Sequence, residues 1–325
     1  MTMHTSLTRR TALVAVAASA ASPGGAWAQT YPQRPVRLVV PFPAGTGTDL
    51  TARLMAQQLQ AALGQPFVVD NKPGAGGSIG AMEVVRAAPD GHTLLFSSNS
   101  AAASNVALLK SMPYDPARDL TLVSGIGESA LVLMVRTDHP ARTLDDFLEM
   151  ARKQPGKLNG GYGSSSSQMS IALLNKLARL DTLLVPYKGI PLAVNDVIAG
   201  TLDFTFVDIN NALAQAKGGK LRALGVTAPK RYAITPDWPA LSERLPGYDI
   251  TAWFAVLGPA RMPPELVGQL HTTFLRLLAE PEVLSRLNAG GIQAMALDRA
   301  QMSNFIPQEV AKWQRLAREA NIQPE

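Results

Sequence analysis

The feature that most constrains this chain is a stretch near its start where a short apolar run, a loop and a long amphipathic segment follow one another. Residues 36–40 read VRLVV, and Pro41 ends the run. Such runs are typical of strands covered on both faces of an α/β sheet. Asp49 is predicted to cap the following helix, and Gly64 to end it. The predicted apolar side of that helix consists of Leu50, Leu54, Met55, Leu59, Ala62 and Leu63.

The loop between this strand and helix, residues 44–48, reads Ala-Gly-Thr-Gly-Thr. It offers backbone N–H groups and two hydroxyls beside a helix N-terminus, where anions are stabilised because the first N–H groups have no partner in the helix. Two interpretations stay open. The loop is a site for a carboxylate or phosphate, or it is a simple strand-to-helix turn.

Two further units repeat the pattern. Residues 66–70 and 93–96 are predicted strands, and polar loops follow them at 71–78 and 97–100. The glycines of the first loop do not complete a dinucleotide fingerprint, because Ile79 stands where the third glycine belongs, and no P-loop Gly-Lys-Ser/Thr follows. In a parallel doubly wound sheet such loops share the carboxyl edge, where ligands bind.

The pattern changes at residue 120. The runs 120–126 and 130–135 are predicted as two strands separated by Gly127-Glu128-Ser129, with no helix between them, which indicates a crossover into a second domain. A helix at 144–153 and alternating strands and helices then follow, until the strand predicted at 248–257 returns to the first domain. We therefore expect a signal peptide at 1–28, a first lobe of residues 29–126 plus 252–325, and a second lobe of residues 127–251.

The chain begins like an exported protein. Arg9 and Arg10 precede an apolar run at 12–21, and Ala26-Trp27-Ala28 resembles a cleavage site, so we expect removal after about Ala28 and a periplasmic location. Removing the two arginines lowers the formal charge from +5 to +3. This small charge, without basic blocks, gives no support for a nucleic-acid partner. The absence of cysteine excludes disulfides, thiol nucleophiles and cysteine-ligated metals.

Catalytic chemistry has one candidate, a serine hydrolase that uses the run Ser164 to Ser167. The G-x-S-x-G elbow is absent, and the three histidines beyond the signal segment, His92, His139 and His271, show no metal-binding spacing. We predict no catalytic residues, no metal and no cofactor. The remaining hydroxyls, glycines and amides suit binding, although a periplasmic hydrolase remains the alternative.

Several short motifs resemble, in their order and spacing, the tripartite tricarboxylate transporter receptors, also called Bug-type extracytoplasmic solute receptors. They cover essentially the whole mature chain. The motifs are Val40-Pro41-Phe42-Pro43-Ala44-Gly45 with Asp49, Asn71-Lys72-Pro73-Gly74-Ala75-Gly76-Gly77, Pro89-Asp90-Gly91, Val185-Pro186-Tyr187-Lys188-Gly189, Gly219-Lys220-Leu221-Arg222-Ala223-Leu224, Pro246-Gly247-Tyr248 and Lys312-Trp313. Departures include Thr46, where a second glycine is usual, and Gln168-Met169, which replaces a common His-Leu.

This resemblance implies an α/β, two-lobed periplasmic-binding-protein (Venus flytrap) fold, each lobe a mostly parallel sheet flanked by helices. It implies that the first loop holds a ligand carboxylate, and that the second lobe contributes the serine run and residues near Asp208. The ligand-binding residues expected from the loops and the resemblance are Phe42, Pro43, Ala44, Gly45, Thr46, Gly47, Thr48, Asp49, Ser78, Asn99, Gly163, Ser164, Ser165, Ser166, Ser167 and Asp208.

The ligand class follows from the charges of these loops. The first loop carries no Arg or Lys, so neutral donors at helix ends are expected to hold a small mono- or dicarboxylate. If Asp208 faces the ligand, it repels a second carboxylate and accepts a hydrogen bond from an amine or hydroxyl, which favours amino acids and hydroxy or aromatic acids. The alternative stays open that Asp208 only caps residues 209–211. We expect a monomer that serves the membrane subunits of a tripartite transporter, with a sensor kinase as the alternative partner.

Overall fold

The computed structural model of the protein describes residues 31–320 and 322–324, so the predicted signal peptide lies outside the described residues. The strands within these ranges are β1 (Val36–Val40), β2 (Phe67–Asn71), β3 (Thr93–Ser98), β4 (Leu120–Arg136), β5 (Asn159–Tyr162), β6 (Leu183–Pro186), β7 (Phe204–Asp208), β8 (Leu221–Val226), β9 (Thr251–Pro259) and β10 (Ile292–Ala294). No helix within these ranges is long and apolar enough to cross a membrane.

The α-helices that accompany these strands are α1 (Gly47–Leu63), α2 (Ser78–Val85), α3 (Asn105–Leu108), α4 (Pro116–Asp119), α5 (Leu144–Lys153), α6 (Ser165–Ala178), α7 (Ile190–Ala199), α8 (Ile209–Lys217), α9 (Pro264–Ala279), α10 (Pro281–Ala289) and α11 (Arg299–Glu319). A π-helical turn, Ser100–Ser104, leads into α3. The predicted α/β class is confirmed by this alternation of strands and helices.

The sheet has two parallel parts joined by two strands that run through its centre. The strand order is β2-β1-β3-β9-β4-β7-β5-β6, and β8 and β10 also pair with β4. β1 is parallel to β2 and β3, and β5 is parallel to β6 and β7. Every antiparallel pair involves β4 or β9. We call the part around β1 the first lobe and the part around β5 the second lobe.

Strand β4 corrects one prediction. The expected break at Gly127-Glu128-Ser129 is wrong, because these residues lie inside a continuous strand and pair with both β9 and β10. Gly127 is needed there for close packing, since a Cβ atom on it would lie 2.5 Å from Ile292 Cγ2. β4 therefore passes from the first lobe into the second, and the lobe limits expected at residues 126 and 252 stay a prediction.

The first strand is covered on both faces, as its sequence predicted. Val36, Leu38 and Val40 belong to a buried cluster with the side chains of α1 and α9. Val39 belongs to a different cluster, which contains residues of α2 and Trp313 of α11. Burial on both faces fixes the strand within the sheet, and its carboxyl end delivers the chain to the loop that begins at Pro41.

Candidate functional site

The loop after β1, residues 42–49, is called the threonine turn here because Thr46 organises it. Thr46 is the N-cap of α1, with extended backbone angles and a hydroxyl that accepts a hydrogen bond from the Asp49 N–H at 3.3 Å. The prediction that Asp49 caps this helix is therefore wrong. With Thr46 as the N-cap, the helix starts at Gly47, three residues before the Leu50 start that an Asp49 cap implies. Gly64, in the left-handed conformation, ends it as predicted.

Asp49 holds the threonine turn from within the first turn of the helix. Its carboxylate is buried and accepts hydrogen bonds from the Gly45 N–H at 2.9 Å and the Asn71 side-chain amide at 2.9 Å. The half-exposed Arg53 guanidinium pairs with both carboxylate oxygens. Burial acts to raise the pKa of Asp49, but the hydrogen bonds from these three partners hold it below its usual value. Asp49 is therefore an ionised structural group that does not line the cavity described below.

The run from Gly163 to Ser167, called the serine turn here, lies opposite the threonine turn and belongs to the second lobe. It is only partly a loop, because α6 begins at Ser165 and Ser164 is its N-cap. The Ser167 hydroxyl accepts hydrogen bonds from the N–H groups of Gly163 at 3.2 Å and Ser164 at 3.1 Å. A Cβ atom on Gly163 would lie 2.3 Å from the carbonyl carbon of Gly189, so only glycine lets these two backbones touch.

Asp208 reaches from the second lobe to the start of α1. It occupies the N-cap position of α8 but makes no capping bond with its own helix. Its carboxylate instead accepts a hydrogen bond from the Gly47 N–H at 3.1 Å, and a Cβ atom on Gly47 would lie 2.8 Å from Asp208 Cγ. Burial raises the pKa of Asp208, and the bonds from Gly47 and Asn211 offset only part of that effect. The Gly47 N–H would suit a ligand anion, but it already donates to the protein's own Asp208 carboxylate.

A small cavity of about 20 Å³ lies between the two turns, with room for about one water molecule. Its lining residues come from both lobes: Phe42, Thr46, Thr48, Ser98, Leu131, Gly163, Ser164, Ser166, Ile190, Asp208, Ala252 and Phe254. Four helices begin at these residues or beside them, namely α1, α6, α7 and α8. Helix N-termini carry partial positive charge, so this convergence favours an anion.

The expected site residues divide into those that line this cavity and those that support it. The expected residues that line it are Phe42, Thr46, Thr48, Gly163, Ser164, Ser166 and Asp208. Pro43 packs against Gly189, and Gly45 binds the Asp49 carboxylate. Ser78 does not line it and instead lies at a separate surface depression with Ile79 and Met82.

Hydroxyl and amide side chains join the two lobes directly beside the cavity. Ser165 Oγ lies 2.6 Å from Ser100 Oγ and 2.5 Å from Ser104 Oγ. Asn99 and Ser166 exchange two hydrogen bonds, at 2.9 and 3.1 Å. Asn99 and Ser165 therefore join the lobes without lining the cavity, whereas Ser166 both joins the lobes and lines the cavity, a distinction that the sequence did not indicate.

Leu131, Ile190, Ala252 and Phe254 line the cavity but were not expected from the sequence. Leu131, Ala252 and Phe254 belong to the central strands β4 and β9, whose pairing brings Ala130 opposite Thr251. Apolar strand residues carry no local signal for a ligand site, because the same pattern describes an ordinary core. Ile190 follows Gly189 at the start of α7. The helix start expected there is the one sequence feature that indicated a place for Ile190 at the site.

The serines show no arrangement for nucleophilic catalysis among the described residues. The side chains of Ser164 to Ser167 form hydrogen bonds with other serines, Asn99 and backbone groups. A serine nucleophile needs a general base within hydrogen-bond reach. The ranges 31–320 and 322–324 also contain no group of three or more His, Asp or Glu side chains placed to hold a metal ion.

Comparisons with known proteins agree with this geometry. A sequence model of the tripartite tricarboxylate transporter family receptor matches residues 51–322. Protein BugT of Bordetella pertussis is 34% identical over 298 residues, which is 90% of this chain and 91% of that protein. Among solved structures, R. palustris Rpa4515 with adipate is 32% identical with a TM-score of 0.88, covering 91% of this chain and 100% of the other. MatC from Rhodopseudomonas palustris with bound malate is 31% identical with a TM-score of 0.81, covering 88% and 99%.

Proposed function

Because this chain belongs to the tripartite tricarboxylate transporter receptor family, we propose that it binds a small carboxylate between its lobes and delivers it to the membrane subunits of a tripartite transporter. In this proposal the protein is exported, loses residues 1–28, acts in the periplasm as a monomer and catalyses no reaction. The adipate and malate named for the two similar structures are small dicarboxylates, and they support this ligand class.

The observation that carries the proposal is the meeting of four helix N-termini at one cavity. Each N-terminus contributes about 0.3 to 1 kcal/mol to an anion's stability, and up to ~2 kcal/mol where it is partly buried. Hydrogen bonds to a charged group add about 1.5 to 3 kcal/mol each. The hydroxyls of Thr48 and Ser166 line the same space from opposite lobes. Together these neutral donors suffice for micromolar affinity, about −8 kcal/mol, without a cationic side chain.

Binding requires the lobes to separate in this proposal. A space of about 20 Å³ holds about one water molecule and no dicarboxylate, so a ligand enters only when the two turns move apart. The polar contacts that must open include the Gly47–Asp208 hydrogen bond, the Asn99–Ser166 pair and the contacts of Ser165 with Ser100 and Ser104. All are polar and re-form with water or ligand, which keeps the cost of opening low.

Asp208 narrows the ligand chemistry at the cavity. Its carboxylate lines the space and is partly desolvated, so a second anionic group beside it is repelled. A ligand hydroxyl or amine beside Asp208 supplies a further hydrogen-bond donor to the carboxylate, in addition to those of Gly47 and Asn211. The proposed ligand therefore places one carboxylate at the helix N-termini and a donor, not a second acid, near Asp208.

Isothermal titration with a panel of carboxylates and their uncharged amides tests the proposal. We expect carboxylates to bind and amides to fail, and a ligand at 100 times its Kd to stabilise the protein by ~2.7 kcal/mol. Thr48→Ala and Ser166→Ala should each weaken binding about tenfold to a hundredfold, since each removes one hydrogen bond to a charged group. Thr272→Ala, on the exposed side of α9, is the matched control.

Binding of the amides alone, or unchanged affinity in both variants, contradicts the carboxylate site. Turnover of an ester or amide panel that Ser164→Ala or Ser166→Ala abolishes would instead support the hydrolase. The transporter partnership is tested separately: deleting the receptor gene should abolish uptake of the bound carboxylate, and the wild-type gene should restore it. Unchanged uptake counts against that partnership while leaving the binding result intact.

A further inference from the structure

A second, larger cavity opens beside the small one and is called the side chamber here. Its volume is about 360 Å³, within the usual range of ligand pockets. It shares Phe42, Gly163 and Ser164 with the small cavity. Because the small cavity has room for about one water molecule, the body of any ligand anchored there must continue into neighbouring space, and the side chamber adjoins it.

Both lobes contribute to the side chamber. The first lobe supplies Pro41, the 75–77 turn, Asn105, Leu108 and Leu109, and the second supplies Tyr162, Gln168 and the segment 186–188. Most of this lining is apolar or aromatic, which suits a methylene chain. Two neutral polar groups that line it are already used: the Asn105 amide donates to the Gly76 carbonyl at 2.9 Å, and the Tyr187 hydroxyl donates to Asp196 at 2.5 Å.

Lys188 gives the side chamber its charge. It is the one charged residue among those lining the chamber, and it forms no ion pair with any acidic side chain in residues 31–320 and 322–324. Its exposed position leaves the ammonium group hydrated and available. An apolar chamber with a single unpaired cation at its wall selects a ligand with a negative end.

The backbone that carries Lys188 is held close to the anion site. Gly189 packs on the Pro43 ring of the threonine turn, and Gly163 of the serine turn packs on the Gly189 backbone. The Tyr187 N–H also donates to the Tyr162 carbonyl at 2.8 Å. These contacts place the backbone of Lys188 beside both turns.

From this geometry we infer that the side chamber receives the far end of the ligand and that Lys188 binds a second carboxylate there, which makes a linear dicarboxylate the preferred substrate. The inference rests on the proposed function. It also explains how a dicarboxylate avoids Asp208: one acid group lies at the helix N-termini and the other lies outside the small cavity, with an apolar chain between them.

Matched acids of equal chain length test this inference. Dicarboxylates of four to eight carbons, each paired with the monocarboxylate of the same length such as adipate with hexanoate, are titrated calorimetrically into the wild type, Lys188→Met and the control Lys157→Met. Lys157 is exposed and lines neither cavity. In Lys188→Met we expect dicarboxylate affinity to fall about tenfold, monocarboxylate affinity to stay within twofold, and the salt dependence of dicarboxylate binding to weaken.

The possible outcomes separate the two proposals. If monocarboxylates bind the wild type as tightly as their matched dicarboxylates, or if Lys188→Met weakens both classes equally, the role of Lys188 is wrong while carboxylate binding stands. If no acid of the panel binds the folded wild type, the proposed function fails and the inference fails with it. Thermal unfolding of each variant establishes that the folded protein is compared in every titration.

Discussion

The threonine turn and the serine turn each connect a parallel strand to a helix that begins at the cavity, but different groups hold their backbones. In the threonine turn the amides of Gly45 and Gly47 donate to the carboxylates of Asp49 and Asp208. In the serine turn the corresponding amides donate to hydroxyls: Gly163 and Ser164 to Ser167, and Ser165 to Ser100.

This difference matters because a carboxylate only accepts hydrogen bonds, whereas a hydroxyl both donates and accepts and can rotate to a new partner. The threonine turn is therefore held by carboxylates, of which only Asp208 lines the cavity. The serine turn is held by hydroxyls that can rotate towards another partner. We expect the serine turn to tolerate the loss of one partner better than the threonine turn does.

The largest expected effect comes from the glycines, which serve different purposes in the two turns. Gly163→Ala should lower the free energy of unfolding by about 3 kcal/mol, because the new Cβ meets backbone atoms of Gly189 and Ile190 that cannot move separately. Gly45 has open space around it but a φ of 82°, so Gly45→Ala should cost only about 1 kcal/mol and Gly45→Asn less. Chemical denaturation measures both, and equal costs at the two positions would refute the distinction.

Asp49→Asn should be the next largest change, with a loss of about 2 kcal/mol at pH 7. The new amide group faces donors, which leaves either the Gly45 N–H or the Asn71 side-chain amide without its acceptor. Because the pKa of Asp49 is lowered in the folded state, its ionised form stabilises the protein above the unfolded pKa of about 3.9, and this is lost as the pH falls through the lower folded value. Unfolding at pH 7 and pH 3 should show the variant and wild type converging in acid.

Asp208→Asn should instead raise the free energy of unfolding, by about 1 kcal/mol, which is the usual size of the effect of a single substitution. Asparagine keeps an acceptor for the Gly47 N–H without a desolvated charge. Because the pKa of Asp208 is raised in the folded state, the wild type loses stability as the pH rises from about 3.9 through the higher folded value. The gain should therefore appear at neutral pH and vanish in acid, and a variant less stable than wild type at pH 7 would contradict this account.

The smallest effect is expected from Ser165→Ala, about 0.5 kcal/mol. Ser100 and Ser104 lose one hydroxyl partner, but Ser100 still accepts from the Ser165 N–H, and Ser104 still donates to the Asn99 carbonyl. Each hydroxyl that loses Ser165 as a partner keeps another one, and this property distinguishes the serine turn from the threonine turn. Thermal unfolding against the exposed control Ser285→Ala checks it, and a loss as large as that of Asp49→Asn would show that the serine turn is as rigid as the other.

The sequence predicted elements well where the decisive interactions are local. The helix expected at 144–153 has those bounds, because Thr143 and Asp146 form a capping box within four residues. The apolar face of α1 was placed less well: Leu50 is 45% exposed, whereas Thr51, Ala52 and Ala56 are buried. Small side chains let this helix lie close to the sheet, and hydrophobicity alone does not reveal which small residues do so.

The candidate site shows the same limit more strongly. The glycines and hydroxyls of residues 44–48 predict an anion site, and the family resemblance adds Phe42, Pro43 and the run 163–167. Both turns lie at the cavity. The Gly47–Asp208 bond joins positions 161 residues apart, and no local signal specifies it. The local alternative, that Asp208 only caps its own helix, is wrong, because its carboxylate makes no capping bond there and accepts from the Gly47 N–H of the other lobe.

The position of β9 between β3 and β4 has a consequence for how the chain folds. Ser124 pairs with Val256, so the centre of the sheet joins segments more than a hundred residues apart in sequence. Closing so long a loop is entropically costly, and contacts of high sequence separation slow folding. The β5–β7 region, whose parallel partners are near in sequence, can form while the chain emerges, but the first lobe keeps an open gap between β3 and β4 until the last quarter of the protein arrives. A truncated chain that ends before β9 would therefore expose two unpaired strand edges in its middle, which makes it a target for chaperones, proteases and aggregation.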